Sequence, residues 1–105
     1  MRQNSIIQKI ANVMRNLFPE ARTMLFGSQA RGTADQSSDI DLLIILPDTY
    51  AGHDFVRRRS QIVSHLYDIE IEDGVRISPL VLVKSMWENR KTPFSINVNR
   101  EGILL

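Results

Sequence analysis

The sequence predicts an α+β domain in which helices pack on a small mixed β-sheet, and three observations lead to this class. Apolar residues recur at helical spacing in two long segments of the chain. Two short, nearly continuous apolar runs, at residues 21–27 and 39–46, are typical of buried strands. A third run, rich in β-branched residues, follows the second helical segment. The predicted order is therefore helix, strand, strand, helix, strand, helix.

The first helix is predicted near the amino terminus. Its apolar side chains fall on one helical face and comprise Ile6, Ile7, Ile10, Val13, Met14 and Leu17. Pro19 closes the segment because proline cannot continue a helix. The next two runs, ARTMLFG and DIDLLIIL, stop at Gly27 and before Pro47. We expect them to form two strands at the centre of the sheet, buried on both faces.

The second half of the chain predicts one long helix, an edge strand and a helical tail. Residues 54–72 keep a helical period, although YDIEIEDG also alternates as a strand would. Gly74 ends this helix, and the run VRISPLVLV is predicted as the third strand. Pro79 places that strand at a sheet edge or at a bulge, because proline cannot donate to a strand ladder. After Lys84 we expect one or two short helical turns, broken at Pro93.

Composition limits the classes of function. A chain of 105 residues with 43% hydrophobic residues predicts a single domain over residues 1–105. The net charge of +1 provides no global basic field, so nucleic acid is not a favoured partner. The absence of cysteine excludes disulfides, thiolate zinc sites and cysteine nucleophiles. No segment has the pattern of a signal peptide or a membrane span, which predicts a soluble cytoplasmic protein.

A Gly-Ser pair follows the first predicted strand. Gly27 lets the backbone approach a ligand closely, and the Ser28 hydroxyl together with the amides of a helix start could bind phosphate oxygens. Arg31, three residues later, could add a charge-assisted contact. An isolated Gly-Ser pair is more often a tight turn followed by a helix cap, so this pair alone does not decide between the two interpretations.

Two aspartates open the second predicted strand. Residues i and i+2 of a strand project from the same face about 6.6 Å apart, so Asp39 and Asp41 converge while Ile40 enters the core. Mg²⁺ would relieve the repulsion between the two carboxylates, and this ion prefers oxygen ligands and nucleotide phosphates. The alternative is that Asp39 caps the turn after Ser38 and Asp41 is a solvated strand edge. A calcium loop is excluded because its further ligands are not in place.

Together these features resemble a known signature. Gly27-Ser28, ten intervening residues and then Asp39-Ile40-Asp41 match the pattern Gly-Ser-x10-Asp-x-Asp of the polymerase β-like nucleotidyltransferase superfamily. The segments GSQARG and SSDIDLLI are similar to the minimal nucleotidyltransferases of that superfamily. The motif covers residues 25–46, and the predicted element order extends the resemblance over most of the chain.

The resemblance implies a nucleotidyltransferase-like fold and a role for each matching residue. Gly27 and Ser28 would hold the β and γ phosphates of a nucleoside triphosphate. Asp39 and Asp41 would be catalytic ligands of Mg²⁺, with two ions as an option. The reaction would be attack of an acceptor hydroxyl on the α-phosphorus, with pyrophosphate leaving. Phosphoryl transfer depends mainly on positioning and charge neutralisation, which a metal on a carboxylate pair provides.

One expected part of this family is not found. A third carboxylate would normally lie on a later strand, but the run GVRISPLVLV contains none, and Ser78 falls near its expected position. The acidic residues before this strand, Asp68, Glu70, Glu72 and Asp73, are better interpreted as a solvated helix face or helix end. The alternative function is therefore a non-catalytic subunit that binds a nucleotide or a partner protein.

The resemblance also suggests partners. Minimal members of the family resemble the antitoxin halves of toxin-antitoxin pairs, whose partners are all-helical proteins encoded nearby. A homodimer is another way to complete so small a site. The run of arginines at residues 57–59 is interpreted as a solvated helix face, with contact to RNA or to an acidic partner as the alternative. Trp87 and Phe94 are expected to pack on the sheet, with adenine stacking as the alternative.

Overall fold

The computed structural model describes residues 2–35 and 37–105. Its helices are α1 (Arg2–Leu17), α2 (Ser28–Arg31), α3 (His53–Asp73), α4 (Lys84–Glu88) and α5 (Pro93–Glu101). Its strands are β1 (Arg22–Phe26), β2 (Ile40–Leu46), β3 (Ile77–Val83) and β4 (Ile103–Leu104). Within the described ranges, no helix combines the length and the apolar character needed to cross a membrane. The predicted α+β class with a mixed sheet is confirmed.

The strands form one sheet in the order β3-β2-β1-β4. β1 is antiparallel to β2 and β4, whereas β2 and β3 are parallel. The end of β1 and the starts of β2 and β3 therefore meet at one end of the sheet. Asp41 pairs in register with Phe26 on β1 and with Ser78 on β3, so these three residues are neighbours across the sheet. Paired residues project from the same face of a sheet.

β2 is buried on both faces, as its continuous apolar sequence predicts. The first core lies between the sheet and helices α1 and α3, and it contains Ile40, Leu42, Ile44 and Leu46, which have no exposed surface. The second core lies on the opposite face beneath α4 and α5, and its buried members are Met24, Leu43, Ile45, Leu82, Trp87 and Val98. The two cores enclose β2, which fixes the position and direction of this strand.

The third strand lies at the sheet edge, as Pro79 predicts. The tail differs from its prediction. Pro93 begins α5 instead of breaking it, since proline is well suited to the first turn of a helix. Thr92 caps this helix in a reciprocal pair with Ser95, whose backbone amide donates to the Thr92 hydroxyl at 3.2 Å. β4 is a two-residue strand that the sequence did not predict.

The run of arginines at residues 57–59 is not a uniform solvated face. Arg57 and Arg59 are exposed, but Arg58 is half-buried and joins α3 to the end of α1. Its Nη2 atom donates to the Leu17 carbonyl at 3.1 Å and pairs with the Glu20 carboxylate. The guanidinium also lies 4.5 Å from the centre of the Phe18 ring. The interpretation as a solvated face is therefore wrong for Arg58.

Candidate active site at one end of the sheet

Asp41 is the second residue of β2, and Asp39 comes directly before the strand, with the fully buried Ile40 between them. Ile40 enters the first core, so Asp41 projects from the opposite face of the sheet. Ile40 and Asp41 therefore alternate as predicted. The carboxylates lie at the end of the sheet where β1 stops and β3 starts.

The two carboxylates interact electrostatically. The pKa of Asp41 is raised above its usual value, first because the side chain is partly buried and second because of the negative charge of Asp39. Arg31 acts in the opposite direction and lowers the pKa of Asp41, so its positive charge is felt at the same site. A cation at the aspartate pair would stabilise both ionised carboxylates.

Asp39 has a carboxylate oxygen that receives no hydrogen bond in the described part of the chain. This atom, Oδ1, is buried. The Arg76 Nε atom forms an ion pair with this oxygen at 3.1 Å but without hydrogen-bond geometry, and the side chains of Arg76 and Asp39 are 80% and 41% exposed. An oxygen in this condition is suited to a metal ion, since a buried acceptor without a donor is unfavourable.

Gly27 brings the β1–α2 turn against Asp41. Its φ of 72° is in the left-handed region that favours glycine, and a Cβ atom there would overlap the Asp41 Oδ2 atom. The Gly27 carbonyl accepts from the amides of Ala30 and Arg31, both at 3.1 Å, which begins α2 directly after the turn. The predicted Gly-Ser pair and the predicted Asp-x-Asp pair therefore lie next to each other.

A cleft of about 270 Å³ adjoins this turn. It is lined by Phe26, Gly27, Arg31, Phe94, Asn97, Val98 and Glu101. Arg31 Nη1 lies 3.4 Å from a Glu101 carboxylate oxygen, so α5 contributes an ion pair to the cleft. The sequence did not predict the contribution of Asn97 and Glu101, because only tertiary packing brings α5 beside α2. No local spacing indicates that contact.

The described structure offers no third carboxylate at the aspartate pair. Ser78 pairs in register with Asp41. From the sequence, the missing acid is expected near Ser78. Glu70 accepts a hydrogen bond from the Ile77 amide at 2.6 Å, and Glu72 and Asp73 both bind Lys9 on α1. Among residues 2–35 and 37–105, no group of three or more His, Cys, Asp and Glu side chains is placed to hold one metal ion.

The alternative role of Asp39 as a turn cap is not what the structure shows. The side-chain hydrogen bonds of this turn go to Asp35, whose Oδ1 accepts from the Ser37 amide at 2.8 Å and from the Ser37 hydroxyl at 2.7 Å. The Ser38 hydroxyl donates to the same oxygen at 3.3 Å. Asp35 therefore orders the approach to β2, whereas Asp39 forms an ion pair with Arg76.

The aromatic side chains near the site form one packed group. Trp87 is 6% exposed and belongs to the second core, in agreement with the expected packing role. Phe94 is 40% exposed and packs edge to face on Phe26, with ring centres 5.5 Å apart, and on Trp87 at 6.3 Å. Phe26 is the cross-strand neighbour of Asp41, so this group adjoins the carboxylates.

Comparison with known proteins gives a consistent result. A family model described as a nucleotidyltransferase domain matches residues 7–94. A curated relative from Methanocaldococcus jannaschii, named "Putative protein adenylyltransferase MJ0141", is 29% identical over 82 residues. That alignment covers 78% of this chain and 75% of the relative.

Solved structures share the fold. A "putative nucleotidyltransferase" from Sulfolobus solfataricus is 22% identical with a TM-score of 0.57, covering 95% of this chain and 76% of that one. A toxin-antitoxin structure with AMP-PNP is 21% identical with a TM-score of 0.56, and the match covers 92% of this chain and 69% of that one. A mutant of the toxin-antitoxin MntA-HpeT is 21% identical with a TM-score of 0.60, and the match covers 94% of this chain and 70% of that one.

Proposed function

Because the chain belongs to the nucleotidyltransferase domain family, we propose that it transfers a nucleoside monophosphate from a nucleoside triphosphate to a hydroxyl acceptor in the presence of Mg²⁺. The contact of Gly27 with Asp41 carries this proposal. The Gly-Ser turn, which we propose binds phosphate, lies against a carboxylate that we propose binds metal, although the two segments are separated in sequence.

We propose that some residues of the site bind the metal and others bind the phosphates. Asp39 and Asp41 would hold Mg²⁺, and this role is supported by the unsatisfied Asp39 Oδ1 and the raised pKa of Asp41. Gly27 and Ser28 would receive the β and γ phosphates at the start of α2. Arg31 would supply a positive charge to the same phosphates. The metal would neutralise phosphate charge and polarise the reacting phosphorus.

The transfer itself forms one bond and breaks one. The acceptor oxygen attacks the α-phosphorus, and the bond from that phosphorus to the bridging oxygen of pyrophosphate breaks. The acceptor hydroxyl releases its proton to water, and pyrophosphate leaves with the electron pair. The protein contributes mainly position and charge, since residues on a rigid strand and at its adjoining turn hold the phosphates in line for attack.

A protein is our proposed acceptor, and adenosine our proposed nucleoside. The curated relative carries the name of a protein adenylyltransferase, and one structural neighbour was solved with AMP-PNP. Two neighbours are toxin-antitoxin structures. We therefore propose that the acceptor hydroxyl lies on an all-helical partner protein encoded beside this chain.

Ser78 supports a second candidate function. Ser78 pairs with Asp41 and lies near the position where the family resemblance leads us to expect a third carboxylate that assists the second metal and the acceptor hydroxyl. A chain lacking that group could bind Mg²⁺ and nucleotide without catalysing transfer. It would then act as a nucleotide-binding subunit of a complex.

The test compares transfer with binding. The purified chain is incubated with ATP labelled on the α-phosphate, with Mg²⁺ or Mn²⁺, and with the protein encoded by the adjacent reading frame. We expect label on the partner with wild type and none with Asp41→Asn. Calorimetry on the same samples separates the two candidates. Nucleotide binding without label transfer would support the non-catalytic subunit, and the absence of both would contradict both functions.

A further inference from the structure

The outer side of α3 carries a line of exposed apolar side chains. Val56, Tyr67 and Ile71 are 59%, 56% and 66% exposed, although each is large and apolar. Ser60 continues the line between Val56 and Tyr67. We refer to Val56, Ser60, Tyr67 and Ile71 as the outer stripe. Their spacings of four, seven and four residues place them on one helical face over about 22 Å.

The outer stripe is symmetric about its own centre. Val56 and Ile71 lie equally far from the peptide bond between Val63 and Ser64, and so do Ser60 and Tyr67. If a second copy of α3 packs antiparallel about that point, Val56 meets Ile71 of the second copy. The small Ser60 then leaves room for the Tyr67 ring. A self-complementary patch of this kind is what a two-fold symmetric interface requires.

Charge supports the antiparallel arrangement. Arg57 and Asp68 are exposed on the same flank of the outer stripe, near opposite ends of it. Neither forms an ion pair with any residue in the described part of the chain. Antiparallel packing brings Arg57 near Asp68 of the second copy, and two-fold symmetry repeats the pair. Parallel two-fold packing would put these residues of the two copies on opposite flanks of the interface, so this pair would not form.

We propose that the outer stripe of α3 is the interface of a homodimer in which two copies of this chain pack antiparallel. α3 covers the first core, whereas Asp41 projects from the opposite face of the sheet. The interface therefore leaves the candidate active site open. The proposal does not depend on the nucleotidyltransferase reaction, and its test does not use activity.

The test is a charge exchange between subunits. Sedimentation equilibrium of the full chain should show a dimer. Arg57→Glu and Asp68→Arg, tested separately, should each weaken dimerisation by at least about tenfold, since each replaces two attractive pairs with two repulsive ones. An equimolar mixture of the two variants should dimerise again as a heterodimer, because both of its charge pairs are attractive. Subunits carrying different fluorophores report that heterodimer directly.

Lys91→Glu is the matched control, since it makes the same charge change away from α3 and should leave the dimer intact. Circular dichroism checks that the α3 variants stay folded, which their exposed positions favour. A wild-type chain that stays monomeric at about 100 μM would overturn the proposal. So would a mixture of the two variants that remains as weak as either alone. A helical partner that occupies α3 of a monomeric chain would also overturn it.

Discussion

Gly27 occupies a position at which an added methyl group would meet the end of the Asp41 side chain. Gly32 provides a comparison, because its φ of 76° is similar but a Cβ there would have no neighbour within 4 Å. Alanine at either position would adopt a left-handed conformation, at a cost of about 1–2 kcal/mol. Only at Gly27 would it also displace a carboxylate of the site.

We therefore expect Gly27→Ala and Gly32→Ala to lower the free energy of unfolding by similar amounts, measured by urea denaturation. Calorimetry should show that Gly27→Ala loses Mg²⁺-dependent triphosphate binding and that Gly32→Ala retains it. Binding by Gly27→Ala at the wild-type level would mean that the contact with Asp41 does not matter for function.

Ser78 offers a way to add the missing charge. Ser78→Asp would place a third carboxylate on the cross-strand neighbour of Asp41, where like charges destabilise by about 0.2–1 kcal/mol. We expect this variant to melt below wild type without metal and to gain more stability than wild type from added Mg²⁺. Ser78→Asn is the uncharged control and should gain no more stability from Mg²⁺ than wild type does. An equal Mg²⁺ response in all three proteins would argue against a metal beside Ser78.

The sequence predicted those parts of the candidate site that lie within one short segment of the chain. The spacing of Gly27, Ser28, Asp39 and Asp41 resembles the family signature, and in the structure Gly27 lies against Asp41. Glu101 and Arg76 could not be predicted in the same way, because each reaches the site only after distant elements have packed. Their contacts are set by the three-dimensional fold.

At the scale of single elements, Arg58 connects α3 to the end of α1. Arg58→Met retains much of the aliphatic stem but removes the Glu20 ion pair, the hydrogen bond to Leu17 and the cation contact with Phe18. We expect the free energy of unfolding to fall by about 1–3 kcal/mol. Arg59→Met, one residue away and exposed, should change it by less than about 0.5 kcal/mol. Equal losses in urea denaturation would contradict the connecting role of Arg58.

The loop after β2 is held to the start of α4 by Asp48. Its Oδ1 atom accepts from the Ser85 amide at 2.9 Å, and this hydrogen bond lowers the pKa of Asp48 below its usual value of 3.8. The folded state thus binds this proton less tightly than the unfolded state. The resulting stability is present above pH 3.8 and is lost as the pH falls through the lower, folded-state pKa.

Asp48→Ala should accordingly be less stable than wild type at about pH 7, and the difference should shrink in acid. Asp48→Asn keeps an acceptor oxygen but does not titrate. Denaturation of the three proteins across this pH range measures both effects. A difference between wild type and Asp48→Ala that stays constant down to about pH 2 would exclude the ionised carboxylate as its source.

The long elements were predictable, and the short ones in the tail were not. α1, β2 and α3 each contain enough turns or alternations for a period to be recognised in the sequence. β4 has two residues, and it exists because it pairs with Met24 and Leu25 of β1. From the sequence we expect short helical turns broken at Pro93, whereas the cap at Thr92 makes this proline the start of the nine-residue helix α5.

At the scale of the whole molecule, the two faces of the sheet have different partners. α1 and α3 cover the first core, and α4 and α5 cover the second, on the face from which Asp41 projects. The mixed strand directions bring the end of β1 to the starts of β2 and β3 at one end of the sheet. Gly27, Asp41 and Ser78 meet there for this reason.

The central claim is that Asp39 and Asp41 together hold a metal that binds with a nucleoside triphosphate. Thermal melting of wild type, Asp39→Asn and Asp41→Asn, with and without Mg²⁺ and triphosphate, tests it most directly. Ligand at a hundred times its dissociation constant should stabilise wild type by ~2.7 kcal/mol, and neither variant should gain this stability. Without ligand the variants should melt at or above the wild-type temperature, because one of two repelling charges is removed. A variant that melts several degrees below wild type, yet is still stabilised by Mg²⁺ and triphosphate, would contradict the metal site.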